Sequence, residues 1–500
     1  MYRLTNTDAA FLHMESERMP MHIASVQVLE LPEGQSPDQF IGGLKRLLVE
    51  RIDQVPYMTN RLQHAPLGLD QPVWVRAEDF DINRHVYRVE VPAPGGQAEL
   101  EATIAKLHEE PLDQAHPLWE YAVLCGLANG RIAYYNRMHH ACIDGMAGQA
   151  AIALLMDTTP NPAERKLPPA PKRNHEGNYS LGELLVASAT SMASNAASLG
   201  TGMVDAVNAG VRVAQRALDP SKGYGAAVER APRTRFSRPI NAARSYAVGE
   251  LPLADVKAVS KAAGCTVNDT FLAICGGGLK RYLDRLGETP DAALLAGCPV
   301  SLRKDSGATS SNAVSMMKVS LGTQFDDPLL RLRHIMGSAS AAKGLLADSA
   351  ELLSQEAPIP GIAGMSRAMA RMTETLGLTE WLEMPINLIV SNVPGPRETL
   401  YSNGAKMLTH YPVSIPAHGN AVNITVQSYV DGMYFSITGC KDALPDADRL
   451  RDDLLAAYSD LCSALPSSVL DFDPEARKKD VSSANDAESG KKDDEKRRVA

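Results

Sequence analysis

The sequence predicts an α/β protein built as two lobes, and three observations carry that expectation. Short β-rich runs alternate with helical ones both before residue 158 and after residue 241. The chain has 500 residues, more than one hydrophobic core ordinarily organises, so two large units are expected. Between them, from 159 to 240, proline, charge and small residues displace the periodic pattern, as in a linker.

The first lobe, residues 1–158, opens its regular structure with "HIASVQVLEL", a strand by its β-branched content. "SPDQFIGGLKRLLVERIDQV" follows as a helix that Ser36 and Pro37 start. "RIAYYNRMHH" reads as a further strand, and "GMAGQAAIALLM" has the composition of the helix after it. The linker begins in "MDTTPNPAERKLPPAPKRNHEGN" and leads into small-residue helices over 181–218. A second lobe, 241–470, begins strand-then-helix in "RSYAVGELPLADVKAVSKAAGCTVNDTFLAICGGGLKRYLDRLG". It continues through "ALLAGCPVSLR", "AVSMMKVSL", "INLIVSNVPGP" and "AVNITVQSYVDGMYFSITG". The tail, 471–500, mixes both charge signs with almost no apolar residue and is expected to be disordered.

Composition narrows the function classes. Lys and Arg number 50 against 59 Asp and Glu, a net charge of −9. No basic stripe supplies the surplus that phosphate binding draws on, so nucleic acid is not an expected partner. The seven cysteines are scattered with no CxxC pair, and the opening "MYRLTNTDAAFLHMESE" has no export leader, so reduced thiols and a cytoplasmic location are expected. The uncharged run Leu184 to Val204 is long enough to span a bilayer but rich in Ser, Thr, Asn and Gly, too polar for a spanning helix. It reads as helices packed on the protein or lying at a lipid surface, the packed version favoured because aromatic and basic faces are missing.

The chemistry concentrates in "YYNRMHHACIDGMAGQAAIALL". Successive strand side chains face opposite ways, so His139 and His140 cannot both enter one cavity: one works and the other supports. The pair sits on a strand-to-helix turn, and Gly145 permits tight backbone there. An imidazole of ordinary pKa near 6.5 can take a proton from an alcohol and return it to a leaving group, worth ~10²–10⁴ in rate. Asp144 fixes the loop or orients the ring. Histidines also serve in surfaces and packing, and HxxxD spacing alone does not decide between these readings. No HExxH or Cys/His cluster offers a metal site. "CGGGL", Cys275 to Leu279, lacks the Walker lysine and dinucleotide spacing and lies within a helical pattern, so close helix packing accounts for it.

"HHACIDG", from His139 to Gly145, resembles the HHxxxDG motif of the bacterial wax ester synthase/acyl-CoA:diacylglycerol acyltransferase family. That family lies within the CoA-dependent acyltransferases that share chloramphenicol acetyltransferase-like folds. "LTNTDAAFLHMESERMPMHIASVQVLE" is similar to the family's start, "PLDQAHPLWE" carries its PLW element and "VNDTFLAICGGGLKRYL" its ND block. "PVSLR", "SNAVSMMKVSLGT", "SNVPGP" and "NITVQSY" follow in the family's order. Only the linker helices and the tail fall outside the resemblance. The DFGWG element of plant-type relatives is missing, which favours the bacterial neutral-lipid branch. Arg137 stands where the family often has lysine.

The resemblance implies two chloramphenicol-acetyltransferase-like lobes, each a mixed sheet with flanking helices, and a tunnel between them. Acyl-CoA and a fatty alcohol or diacylglycerol would enter it from different sides, with acyl-CoA a substrate and no cofactor. His140 is then the general base, without an acyl-enzyme, so Cys142 need not be a nucleophile. Asn268 is the leading donor to the oxyanion, an effect of ~3–4 kcal/mol in well-studied cases, with a helix N-cap as its competing role. The resemblance also implies that Asp144 pairs with Arg303 across the lobes. Trp119 is expected to support the wall behind the motif turn, and Asn392 to shape the tunnel or end its strand. The alternatives are a condensation-type transferase acting on carrier-protein thioesters, and a catalytically silent lipid-body protein. A peripheral position at the inner membrane or lipid bodies is compatible with the 181–218 segment.

Overall fold

A computed structural model describes residues 2–4, 6–66, 70–142, 155–162, 177–190, 211–212, 215–216, 218–219, 224, 229–301, 314–353 and 384–465. Two six-stranded sheets dominate it. The first contains β2 (His22–Glu30), β5 (Val86–Glu90), β6 (Trp119–Cys125), β7 (Ile132–His139), β12 (Tyr401–Ser402) and β13 (Ala405–Val413), in the order β12-β13-β2-β7-β6-β5. The second contains β8 (Arg244–Pro252), β9 (Leu295–Ser301), β10 (Val314–Ser320), β11 (Leu388–Val393), β14 (Val422–Tyr429) and β15 (Gly432–Cys440), in the order β10-β9-β11-β14-β15-β8. β1 (Tyr2–Arg3), β3 (Asn60–Gln63) and β4 (Val73–Arg76) form a small third sheet.

Helices flank these sheets for reasons visible in their ends. Among them are α1 (Asn6–Met14), α2 (Pro37–Arg51), α3 (Gln97–Leu107), α4 (Leu253–Ala263), α5 (Val267–Leu286), α6 (Pro328–Leu353) and α7 (Ala447–Ser463). α2 starts at a capping box in which Ser36 Oγ accepts from the Gln39 amide and the Gln39 side chain accepts from the Ser36 amide, with proline at the first turn. Its buried face, Phe40, Ile41, Leu44 and Leu48, packs in the cluster that includes Leu29, Val123 and Ile132 of the first sheet.

α5 starts at a second capping box, Thr266 with Asp269, and stops at Gly287 in the left-handed conformation, φ 68°. Its glycines are packing residues, as their place in a helical pattern predicts. A Cβ on Gly278 would lie 2.8 Å from the backbone of Leu454 in α7, and one on Gly277 2.8 Å from the Ala457 methyl. Close approach of α5 to α7 is what the absence of side chains there permits.

The strands read from the sequence are present, and the two-lobed α/β architecture with them. The lobes do not divide the chain at one point, however. β13 pairs antiparallel with β2, so residues 401–413, within the expected 241–470 lobe, complete the first sheet. A buried ion pair fixes this return: Asp157 exchanges two backbone hydrogen bonds with Tyr401, of 2.9 and 2.7 Å, and its carboxylate meets Arg51 of α2 at 3.0 Å. The helix expected over 145–156 lies mostly outside the described residues, as do most of 181–218 and the whole 471–500 tail. No described helix is long and apolar enough to cross a membrane.

Candidate active site

β7 ends between the two histidines. His139 closes the strand as Cα partner of His22 on β2, and its amide donates to Leu118 O at 3.0 Å. His140 opens a single 3₁₀ turn, its amide held by Met21 O at 2.8 Å. The change of backbone sends the two rings to different surroundings, as the alternation of strand side chains requires.

His139 is fully buried. Its Nδ1 accepts from the Ala141 amide at 3.0 Å, which leaves the ring proton of the neutral form on Nε2. Nε2 stands 3.3 Å from Glu15 Oε1, close but not aligned as a hydrogen bond. Glu15 is itself anchored: Oε1 accepts from the Met21 amide at 3.2 Å and Oε2 from Gln114 Nε2 at 2.7 Å. Burial raises its carboxyl pKa, but His139 and these donors outweigh burial and leave it lowered. His139 thus ties the motif turn to α1 and the loop after it.

His140 is half-buried and stacked on Phe11 of α1, ring centroids 3.9 Å apart and planes 14° from parallel. Loss of hydration lowers its pKa to about 4, with the neighbouring His139 adding to the effect. The imidazole is therefore neutral at pH 7, the form that accepts a proton. Cys142 follows on the same turn, and burial pushes its thiol well up, so it stays protonated and a poor nucleophile.

The strand beneath is rigidly held. Arg137 meets the Glu120 carboxylate at 2.8 Å and donates to Leu107 O at 2.9 Å and Glu110 O at 2.6 Å. Trp119 is 1% exposed, donates through Nε1 to Met58 O at 2.9 Å and stacks on His85. Burying such a ring contributes roughly 1.5–3 kcal/mol or more, and its strand neighbour Leu118 holds His139. Trp119 itself packs in the core cluster with Phe40, Leu44 and Val123.

Asn268 and Asn392 meet. Asn392 Nδ2, at the end of β11, donates to Asn268 Oδ1 at 3.4 Å, and both residues are half-buried. Asn268 is not the N-cap of α5: Thr266 has that role, and Asn268 is the second residue of the helix. Asp144, Gly145 and Arg303 lie outside the described residues. So do 143–154 and 302–313, which flank the motif turn and β9. Two cavities are bounded by described residues, about 270 Å³ beside Lys406 and about 550 Å³ beside Arg3 and Val186, and neither is lined by His139 or His140. Among the described residues, no three His, Cys, Asp or Glu side chains are grouped to hold a metal ion.

Glu15 and Phe11 were not singled out by sequence reasoning. Both lie in "DAAFLHMESE", where only the packing of α1 against the motif turn gives them a role.

Comparison with known proteins identifies the family. A family profile for the wax ester synthase/diacylglycerol acyltransferase catalytic domain matches residues 4–271, and one for the WS/DGAT C-terminal domain matches 310–461. A putative diacylglycerol O-acyltransferase of Mycobacterium tuberculosis is 32% identical, over 91% of this chain and 98% of its own. A second protein of that organism, a probable diacylglycerol O-acyltransferase, is 31% identical over 92% and 98%. The solved wax ester synthase/diacylglycerol acyltransferase of Marinobacter aquaeolei VT8 superimposes with a TM-score of 0.65, at 28% identity over 92% of this chain and 98% of that one. The first condensation domain of the CDA synthetase shares the fold at a TM-score of 0.52 and 13% identity, over 93% and 97%. With a catalytic-domain profile spanning more than half its length and relatives above 30% identity over nearly all of it, the chain belongs to the wax ester synthase/diacylglycerol acyltransferase family of acyltransferases.

Proposed function

We propose that this chain moves a long-chain acyl group from acyl-CoA to the hydroxyl of a fatty alcohol or a diacylglycerol, with His140 as general base. The observation that carries the reading is the His140 ring: neutral at pH 7, half-buried, stacked on Phe11 and set on a turn that His139 and Glu15 brace. The acceptor oxygen attacks the thioester carbonyl as its proton passes to the imidazole. The tetrahedral intermediate then collapses, the C–S bond breaks, and the imidazolium returns the proton to the CoA thiolate. Ester and free thiol result, with no covalent enzyme intermediate.

Asn268, paired with Asn392, supplies an amide for the oxyanion in this reading. Roles for Asp144 and Arg303 rest on the family resemblance alone, since both lie outside the described residues. The acyl and acceptor chains lie in a tunnel between the lobes. Peripheral contact with a lipid surface is supported by Leu181 and Leu185, one helical turn apart and 64% and 42% exposed, with Val186 68% exposed beside them.

The test is His140→Ala assayed with labelled long-chain acyl-CoA and a panel of alcohols and diacylglycerol, with free CoA as the signal. Loss of ester formation in a variant of unchanged circular dichroism is expected, and retention of most activity removes the base assignment. Turnover of free acyl-CoA without a carrier protein excludes the condensation-type alternative.

A further inference from the structure

On β7, alternation gives Tyr134, Asn136 and Met138 one face, the face on which the strand runs out into His140. β2 lies alongside and pairs Ile23 with Met138, Ser25 with Asn136 and Gln27 with Tyr134. β13 places His410 opposite Gln27. Exposure on this face falls with distance from the motif. His140, Met138, Ile23 and Ser25 are half-buried, whereas Asn136 is 7% exposed, Gln27 3% and His410 1%. Side chains near His140 thus keep part of their surface exposed, whereas those at the far end are buried and polar.

The polar end is hydrogen-bonded in one direction. Ser25 Oγ donates to Asn136 Oδ1, and Gln27 Nε2 donates to Ser25 Oγ at 2.7 Å. The Gln27 carbonyl oxygen, last in the chain, is buried with no hydrogen-bond partner among the described residues. Beside it, His410 accepts through Nδ1 from Gln427 Nε2 at 3.2 Å, and burial lowers its pKa to about 4, so the ring is neutral with its proton on Nε2. Buried acceptors are ordinarily satisfied, so this oxygen can take a donor from outside the protein, whether water or the end of a bound chain.

Four strand residues separate Asn136 from His140 and six separate Tyr134, the partner of Gln27, which puts the polar end roughly 13–20 Å from the base. An extended aliphatic chain of about ten to sixteen carbons covers that span. A methyl-ended chain would meet Gln27 with nothing to donate. A chain ending in a second hydroxyl would satisfy it.

We infer that the Ser25, Gln27, Asn136 and His410 array is the far end of a chain-binding groove that recognises a terminal hydroxyl, making α,ω-diols of intermediate length preferred acceptors. One hydroxyl lies at His140 and is esterified, and the other donates to Gln27 and is unchanged. The inference rests on acyl transfer at His140 and names the acceptor class for that site.

The test compares 1,12-dodecanediol with 1-dodecanol, and the eight- and sixteen-carbon pairs, on the full chain. Binding is measured by calorimetry without acyl-CoA, and turnover by thiol release from palmitoyl-CoA. The expected result is about tenfold tighter binding and higher kcat/KM for the twelve-carbon diol, the range set by one buried hydrogen bond. Gln27→Met should bring the two acceptors within about twofold of each other. Equal binding of diol and alcohol to the native protein overturns the inference, and needs no variant to fold. So does a folded Gln27→Met that keeps the preference. Tighter diol binding without turnover of any alcohol upholds the groove and strikes down the transferase reading instead.

Discussion

Desolvation holds the His140 imidazole at about 4, against an ordinary value near 6.5, and the difference is large enough to read in a rate. At pH 5.5 an imidazole of pKa 6.5 is only about one-tenth neutral, whereas one at about 4 remains ~97% neutral. The value of kcat/KM follows the free enzyme's base. It should therefore keep most of its pH 7.5 value at pH 5.5 and fall only as pH approaches about 4. Phe11→Ala removes the ring stacked at 3.9 Å and admits water to the imidazole. Because desolvation is the leading cause of the depression, the acid limb of this variant should move toward 6.5, and its rate at pH 5.5 should fall several-fold further than its rate at pH 7.5. The assay is discontinuous: long-chain acyl-CoA and a fatty alcohol, quenched and neutralised before free thiol is measured. Recovery of activity on return to pH 7.5 separates titration from unfolding. A native enzyme that loses nine-tenths of kcat/KM between pH 7.5 and 5.5, reversibly, would refute the reasoning.

Three further outcomes follow from residues away from the base. His108, hydrogen-bonded to Tyr135 and Ser414, is held at about 3, chiefly by burial. Its folded pKa lies below its unfolded one, so stability is full above about 6.5 and is lost as pH falls. By pH 4.5 this one group should cost ~2–3 kcal/mol in urea unfolding, and His108→Gln should flatten that dependence. Arg51→Met removes the buried ion pair with Asp157 and should destabilise the fold, read as a lower urea midpoint. Gly278→Ala forces a methyl to 2.8 Å from the Leu454 backbone and should cost about 1–3 kcal/mol, seen as a lower Tm.

Local signals made the strands and capped helices legible. Ser36-Pro37 announced the start of α2, because a capping box is written in four consecutive residues. Alternation predicted that His139 and His140 would part company, and they do. What stayed hidden depends on contacts between segments far apart in the chain. Glu15 looks like any acidic residue near a helix end until Met21, Gln114 and His139 converge on it. The meeting of Asn268 with Asn392 joins residues 124 positions apart, and no spacing rule spans that distance. The role of Thr266 rather than Asn268 as the cap was readable, since a hydroxyl ahead of a carboxylate at that interval is the stronger N-terminal signature.

The pairing of β13 with β2 bears on how the polypeptide emerges from the ribosome. Thr409 Oγ1 accepts from the Val28 amide across 381 residues of sequence, so a nascent chain carrying the whole HHxxxDG motif still has a raw strand edge along β2. That edge stays unpaired until β13, ending at Val413, has been synthesised, and unpaired edges invite wrong partners. Expression of the amino-terminal half alone would release the HHxxxDG motif in a species prone to aggregate.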